Sequence, residues 1–130
     1  TLTMTAAQVG ALAGSITKGT NDLVVAQVQS GDANISAYTL TDANSIDLNN
    51  ISDVTLTTTQ VSIGLSNVNS IIVSDTATAT QAETIYDYDN SASYAVSGTA
   101  SDLTTTDTIS AAAAAQATGI TVTGIAASAS

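Results

Sequence analysis

The chain has 130 residues with no cysteine, histidine or proline, and its formal net charge is −10 because Lys18 is the only basic side chain. A single cation neutralises neither a run of phosphates nor the face of an anionic bilayer, which argues against nucleic-acid partners and electrostatic membrane attachment. Without Cys or His there are no disulfides and no ligand set for a transition-metal centre.

The hydrophobic fraction is 44%, but much of it is Ala, and the larger apolar residues are short groups of Ile, Val and Leu. A core built from these is narrow. No apolar run approaches the roughly 20 residues that span a bilayer, so membrane insertion is not expected. No signal-peptide pattern occurs, and the chain begins at Thr1, as expected of a processed chain or a piece of a longer one.

Taken in order, Thr1–Met4 alternates Thr with apolar residues, as a half-buried strand does. Thr5 is placed to cap a short helix over residues 6–13, with Gly14 at its end. Residues 18–22 and 30–34 have turn composition, and strands are expected at 23–28 and 35–41. From Asp42 to Asp53, Ile46, Leu48 and Ile51 are separated by Asp and Asn, the pattern of short strands joined by polar corners. Residues 54–57 and 61–65 alternate again, and 71–74 is a strand. Residues 80–86 have helical composition, closed by Asp87-Tyr88-Asp89-Asn90. Asp107 then precedes a second helical run, Ala111 to Ala115, with Gly119 as its stop.

One phrase recurs at residues 70–77, 93–100 and 119–126: a small residue, a β-prone run, a hydroxyl, an Asp or Gly, and an Ala two places on. Its turn residues Asp75, Gly98 and Gly124 recur at intervals within the about 20–45 residues of solenoid repeats. One strand and one short helix cannot bury their own apolar face, so stacking is the expected solution. The expected fold is mainly β: a parallel β-solenoid-like repeat with short α-helical inserts. It forms a single domain over 1–130, with degenerate repeats clearest at 70–92, 93–118 and 119–130.

The phrases Thr1-Leu2-Thr3-Met4-Thr5-Ala6-Ala7-Gln8, Ile72-Val73-Ser74-Asp75-Thr76-Ala77 and Ile120-Thr121-Val122-Thr123-Gly124 resemble repeats of very large secreted bacterial surface proteins. Those are the hemolysin-type (RTX-associated) adhesins and S-layer-like proteins. The resemblance implies an extracellular or cell-surface location and a structural or adhesive role, often with calcium. The glycine-rich nonapeptide that wraps calcium in that family's calcium-binding rolls is missing here.

Candidate chemistry lies with the acids. Asp87, Asp89 and Asn90 set two carboxylates and an amide oxygen in one short stretch, a donor set that suits calcium. Asp42, Asp47 and Asp53, interleaved with Asn44, Asn49 and Asn50, are a second candidate calcium set; the competing reading is that these side chains brace turns. Thr1/Thr3/Thr5, Thr39/Thr41, Thr55/Thr57 and Thr121/Thr123 have the period of one sheet face, either a regular hydroxyl array or ordinary solvent-facing strand residues. If extended, Tyr86 and Tyr88 share a face and suit a subunit contact or simple corner packing. No Ser or Thr has a His or Cys partner, and Lys18, the single candidate base, sits in a Gly/Thr/Asn turn, so no enzyme is expected.

These readings converge on a self-assembling structural subunit of an extracellular bacterial filament, sheath or surface layer. Copies would join through strand edges and apolar coil faces into a homopolymer. The alternative is an adhesin-type module presenting a Thr/Asn-rich face to a surface, glycan or ice, and a third is an inert spacer.

Overall fold

A computed structural model describes residues 1–104 and 109–124. Asp107, expected to open the last helix, and residues 125–130 of the third phrase lie outside these. Among the described residues, eight strands and four helices follow in order: β1 Leu2–Thr5, α1 Ala6–Ala11, β2 Val24–Gln27, β3 Ser45–Asp47, β4 Val54–Leu56, α2 Thr58–Ile63, β5 Leu65–Ser66, β6 Ile71–Val73, α3 Ala79–Tyr88, β7 Ala95–Thr99, α4 Ala111–Gln116 and β8 Gly119–Thr123.

The expected mainly-β solenoid is corrected by this arrangement. About 23% of the described residues are helix and 28% strand, and the strands fall into small separate sheets. One sheet has the order β1-β2-β3-β5, and the other two are the pairs β4-β6 and β7-β8. The physical reason is a corner that recurs at the strand ends. Thr5, Thr57 and Thr78 each accept the backbone N–H of a Gln three residues on, and that Gln side chain returns to the Thr backbone N–H. Each is a complete capping box. The boxes at Thr5 and Thr57 turn the chain directly from strand to helix and end β1 and β4 there, while the Thr78 box starts α3 a few residues after β6. At residues 61–65 the expected alternating strand is overruled in this way, because the Thr57/Gln60 box starts α2 ahead of it. Only residues 65–66 remain extended, as β5.

Every strand pair is parallel. Leu2 stands opposite Val24, Val25 opposite Ser45, Ile46 opposite Leu65, Val54 opposite Ile71, and Ala95 opposite Gly119. Single ladder contacts, Ile72 with Ser93 and Ala77 with Val96, link the sheets in the same direction. Pairing therefore advances with the sequence, with β1 in the first pair and β8 in the last. The expected strand at 35–41 reduces to one contact, Asn34 with Thr55. After it, the Asn34 side chain accepts from Ser36 N–H and Oγ–H and the chain turns away.

A continuous core runs from Ala6 to Ala113. Val24, Ala26, Ile46, Leu56, Ile71 and Val96 fill its strand side. Helices α3 and α4 present Ala79, Ala82, Ile85 and Ala113 to it. Small Ala faces let a short helix lie close to the strands, which is how a chain without Phe or Trp fills its interior. Gly10 serves the same end, since a Cβ there would sit 3.0 Å from Tyr38 Cβ.

Candidate functional site

The acidic residues form separate braces. Asp42 accepts from Gly14 N–H at 2.7 Å through its carboxylate, and its carbonyl accepts from Lys18 Nζ at 2.7 Å. Lys18 Nζ also donates to Asn44 Oδ1 at 3.1 Å, so the one basic side chain ties the loop after α1 to the segment before β3. Asp47 accepts from Gln27 Nε2 (3.0 Å), Asn67 Nδ2 (2.8 Å) and Asn49 N–H (2.8 Å), spanning three neighbouring strands. Partial burial pushes its pKa up, but these three hydrogen bonds outweigh burial and the net shift is downward. Asp53 adopts a left-handed backbone at φ 56° and bonds Ser70 through both its N–H and its carboxylate. Asn49, Asn50 and Asn67 are left-handed too, so the polar corners read from the sequence are built on the residues that tolerate that conformation.

Asp87, Asp89 and Asn90 do not meet as one turn. Asp87 lies exposed within α3, which runs on to Tyr88. Asp89 lies beyond the helix and accepts from Ile71 N–H (3.0 Å) and Ser91 N–H (2.9 Å), while Asn90 is exposed. Among the described residues there is no group of three or more acidic side chains placed to hold a metal ion. Asp75, which the sequence marks only as part of the recurring phrase, grips Thr58 at both N–H and Oγ, each at 2.8 Å, and so fixes the first turn of α2.

The Thr rows do not make one hydroxyl face. Thr5 and Thr57 are helix caps, and Thr39 and Thr41 lie outside the strands. Tyr86 and Tyr88 lie two apart on a helix, so they point to different sides; Tyr88 Oη accepts from Leu65 N–H at 3.1 Å. The signal the sequence reading passed over is the spacing Thr-x-x-Gln at 5–8, 57–60 and 78–81. It is the written form of the capping box.

Large apolar side chains are exposed on β1 and β8, and also at Leu12, Leu23 and Ile72. β1 is the outer strand of its sheet, and Leu2 is 55% exposed. Beside it Ile16, Lys18, Asp22 and Leu23 help to line a cleft of about 300 Å³. β8 is an outer strand of the last pair and all five of its residues are exposed. Ile120 at 48% and Val122 at 40% contrast with Ile46 at 0% and Val96 at 1%. A neighbouring cleft of about 400 Å³ is lined in part by Ser97, Thr99, Asp102 and Thr123. Neither edge strand carries a charge or a proline, the usual protections against edge-to-edge pairing. Comparison with known proteins finds no matching family model, no similar curated protein and no similar solved structure.

Proposed function

We propose that the chain is a structural, non-catalytic subunit of an extracellular bacterial filament, sheath or surface layer, and that it self-assembles into a homopolymer through its strand edges. The observation that carries this reading is the unprotected parallel edge of β1 and of β8, with Leu2 exposed on one and Ile120 and Val122 on the other. An open ladder is a template for a further strand. Two different edges joined head to tail make a heterologous contact that propagates instead of closing. The outward location is supported by the near-absence of Lys and Arg and by the texture shared with secreted surface repeats.

Electron microscopy of the purified chain at high protein concentration tests the reading. Regular fibres or sheets are the expected result, and the double substitution Ile120→Lys with Val122→Lys should disperse them while leaving the circular dichroism spectrum unchanged. Dispersed single particles of the unsubstituted chain at every concentration would refute it. Calcium supplies a second readout. Because the carboxylates are spread over separate braces, fibres should respond equally to calcium and to magnesium at matched ionic strength. Loss of fibres on calcium-specific chelation would return the Asp/Asn corners to a bridging role.

A further inference from the structure

Alternate residues of a strand direct their backbone groups to opposite edges, so the free hydrogen-bonding groups of β1 and β8 can be assigned. Leu2 N–H donates to Leu23 C=O at 2.8 Å, so Leu2 and Met4 serve β2, while the Thr1 carbonyl and both backbone groups of Thr3 face outward. Thr5 N–H is already taken by Gln8 Oε1 at 2.9 Å, which ends the free edge there. In the last pair, Ala95 C=O and Ser97 N–H bond Ala77, so Val96 and Gly98 serve β8. With Val96 opposite Ile120, the bonds from β7 run to Gly119, Thr121 and Thr123, and Ile120 and Val122 are left with their backbone groups facing out.

We propose that β8 of one copy pairs in parallel with β1 of the next, with Ile120 opposite Leu2, Thr121 opposite Thr3 and Val122 opposite Met4. This register rests on the self-assembly reading above. It yields three hydrogen bonds: Ile120 N–H to Thr1 C=O, Thr3 N–H to Ile120 C=O, and Val122 N–H to Thr3 C=O. The side-chain faces agree as well. Ile120 shares the face of buried Val96, and Leu2 and Met4 share the face of buried Val24 and Ala26, so both apolar rows continue the core. A slip of one residue would set apolar against outward Thr. A slip of two in either direction loses one of the two apolar pairs, because α1 begins at Ala6 and Gly119 opens β8.

The absence of native cysteine makes the register directly measurable. Paired parallel strands lie about 4.8 Å apart, inside the roughly 4.4–6.8 Å Cα range a disulfide tolerates. Single variants Thr3→Cys and Thr121→Cys are mixed and mildly oxidised, beside a mixture of Thr3→Cys with Thr123→Cys. All three threonines are exposed, so the fold has no reason to change. The Thr3→Cys/Thr121→Cys pair should cross-link about tenfold faster than the offset pair. Fibres that form without this preference overturn the register and leave the assembly reading standing. Neither fibres nor cross-links in any mixture overturns both.

Discussion

Three glutamines occupy the same place in three capping boxes, yet their substitution should not cost the same. Gln8 does little beyond its cap, bonding Thr5 N–H from an exposed site. Gln60 is 2% exposed, and besides taking Thr57 N–H it donates Nε2 to Ile35 C=O at 2.7 Å and to Tyr38 C=O at 2.9 Å. It therefore holds the loop after β2 against the start of α2. Gln8→Ala should destabilise by about 0.5–1 kcal/mol, the value of a surface cap hydrogen bond. Gln60→Ala loses three hydrogen bonds at about 1 kcal/mol each, while Ile35 C=O keeps Tyr38 N–H as a donor, so about 3 kcal/mol is expected. With a urea slope of about 1–3 kcal/mol per molar for a domain of this size, the midpoint should fall by more than about 1 M for Gln60→Ala. The Gln8→Ala midpoint should move by a few tenths. The assay is equilibrium urea unfolding followed by circular dichroism, at protein concentrations where the chain is monomeric, since assembly would add its own stabilisation. Equal midpoint shifts for the two variants would refute the reasoning and reduce Gln60 to an ordinary cap.

Two titrations and a salt series test other parts of the structure. Tyr94 is 1% exposed, its hydroxyl donates to Ala113 C=O at 2.6 Å, and burial, with the Glu83 charge behind it, pushes its pKa up to about 12. In ultraviolet absorbance the Tyr94 phenol should therefore ionise well above the ordinary tyrosine value of about 10. Because the folded pKa lies above the unfolded one, this contribution to stability is complete below pH 10 and is lost as pH rises towards 12. Tyr94→Phe should remove that loss; an unchanged alkaline unfolding profile would count against the burial argument. Asp47 runs the opposite way. Its folded pKa lies below the ordinary aspartate value, so its contribution is present above that value and fades as pH falls through the folded pKa. Urea midpoints of the native chain and Asp47→Ala should converge at low pH, and a gap of constant size would contradict this. With −10 on each copy, added monovalent salt should promote fibres by screening repulsion. Dissolution by salt would place ion pairs, not strand edges, at the contact.

The elements most legible in the sequence were those specified by local chemistry. The alternation at Thr1–Met4 and at Ile120–Thr123 appears as β1 and β8, and the Ala run at 111–115 appears in α4. Residues 61–65 misled because five alternating residues fit either period, and the decision lay upstream in the Thr57/Gln60 box. The mainly-β expectation failed for the same reason, repeated at each box. Among the candidate ligands, Asp87 and Asp89 are close in sequence, but α3 continues through Tyr88 and separates a helical residue from one in extended backbone. Asp42 and Asp53 lie in turns and Asp47 ends β3, and each has its own donors. Apart from Asn49 N–H on Asp47, those donors come from residues 17 to 28 positions away, pairings that no local pattern encodes.

The strength of the proposed contact follows from what each edge still exposes. Leu2, Leu23, Ile120 and Val122 keep between 40% and 55% of their surface. Full burial of such side chains yields about 1.5–3 kcal/mol, so covering the remaining half yields about 1 kcal/mol each, or about 4 in total. Three ladder hydrogen bonds add about 3 kcal/mol. Against this stand at least about 4 kcal/mol of lost translational and rotational freedom and the repulsion between copies that each carry −10. The balance is about 3 kcal/mol or less, a dissociation constant in the millimolar range or weaker. Subunits joined this way should assemble only when crowded, as at a cell surface, and should fall apart on dilution. Sedimentation across a dilution series measures this. Monomers at micromolar concentration, with fibres returning on concentration, are the expected pattern. A dimer that survives micromolar dilution would mean that the copies meet through a larger surface than the two strand edges.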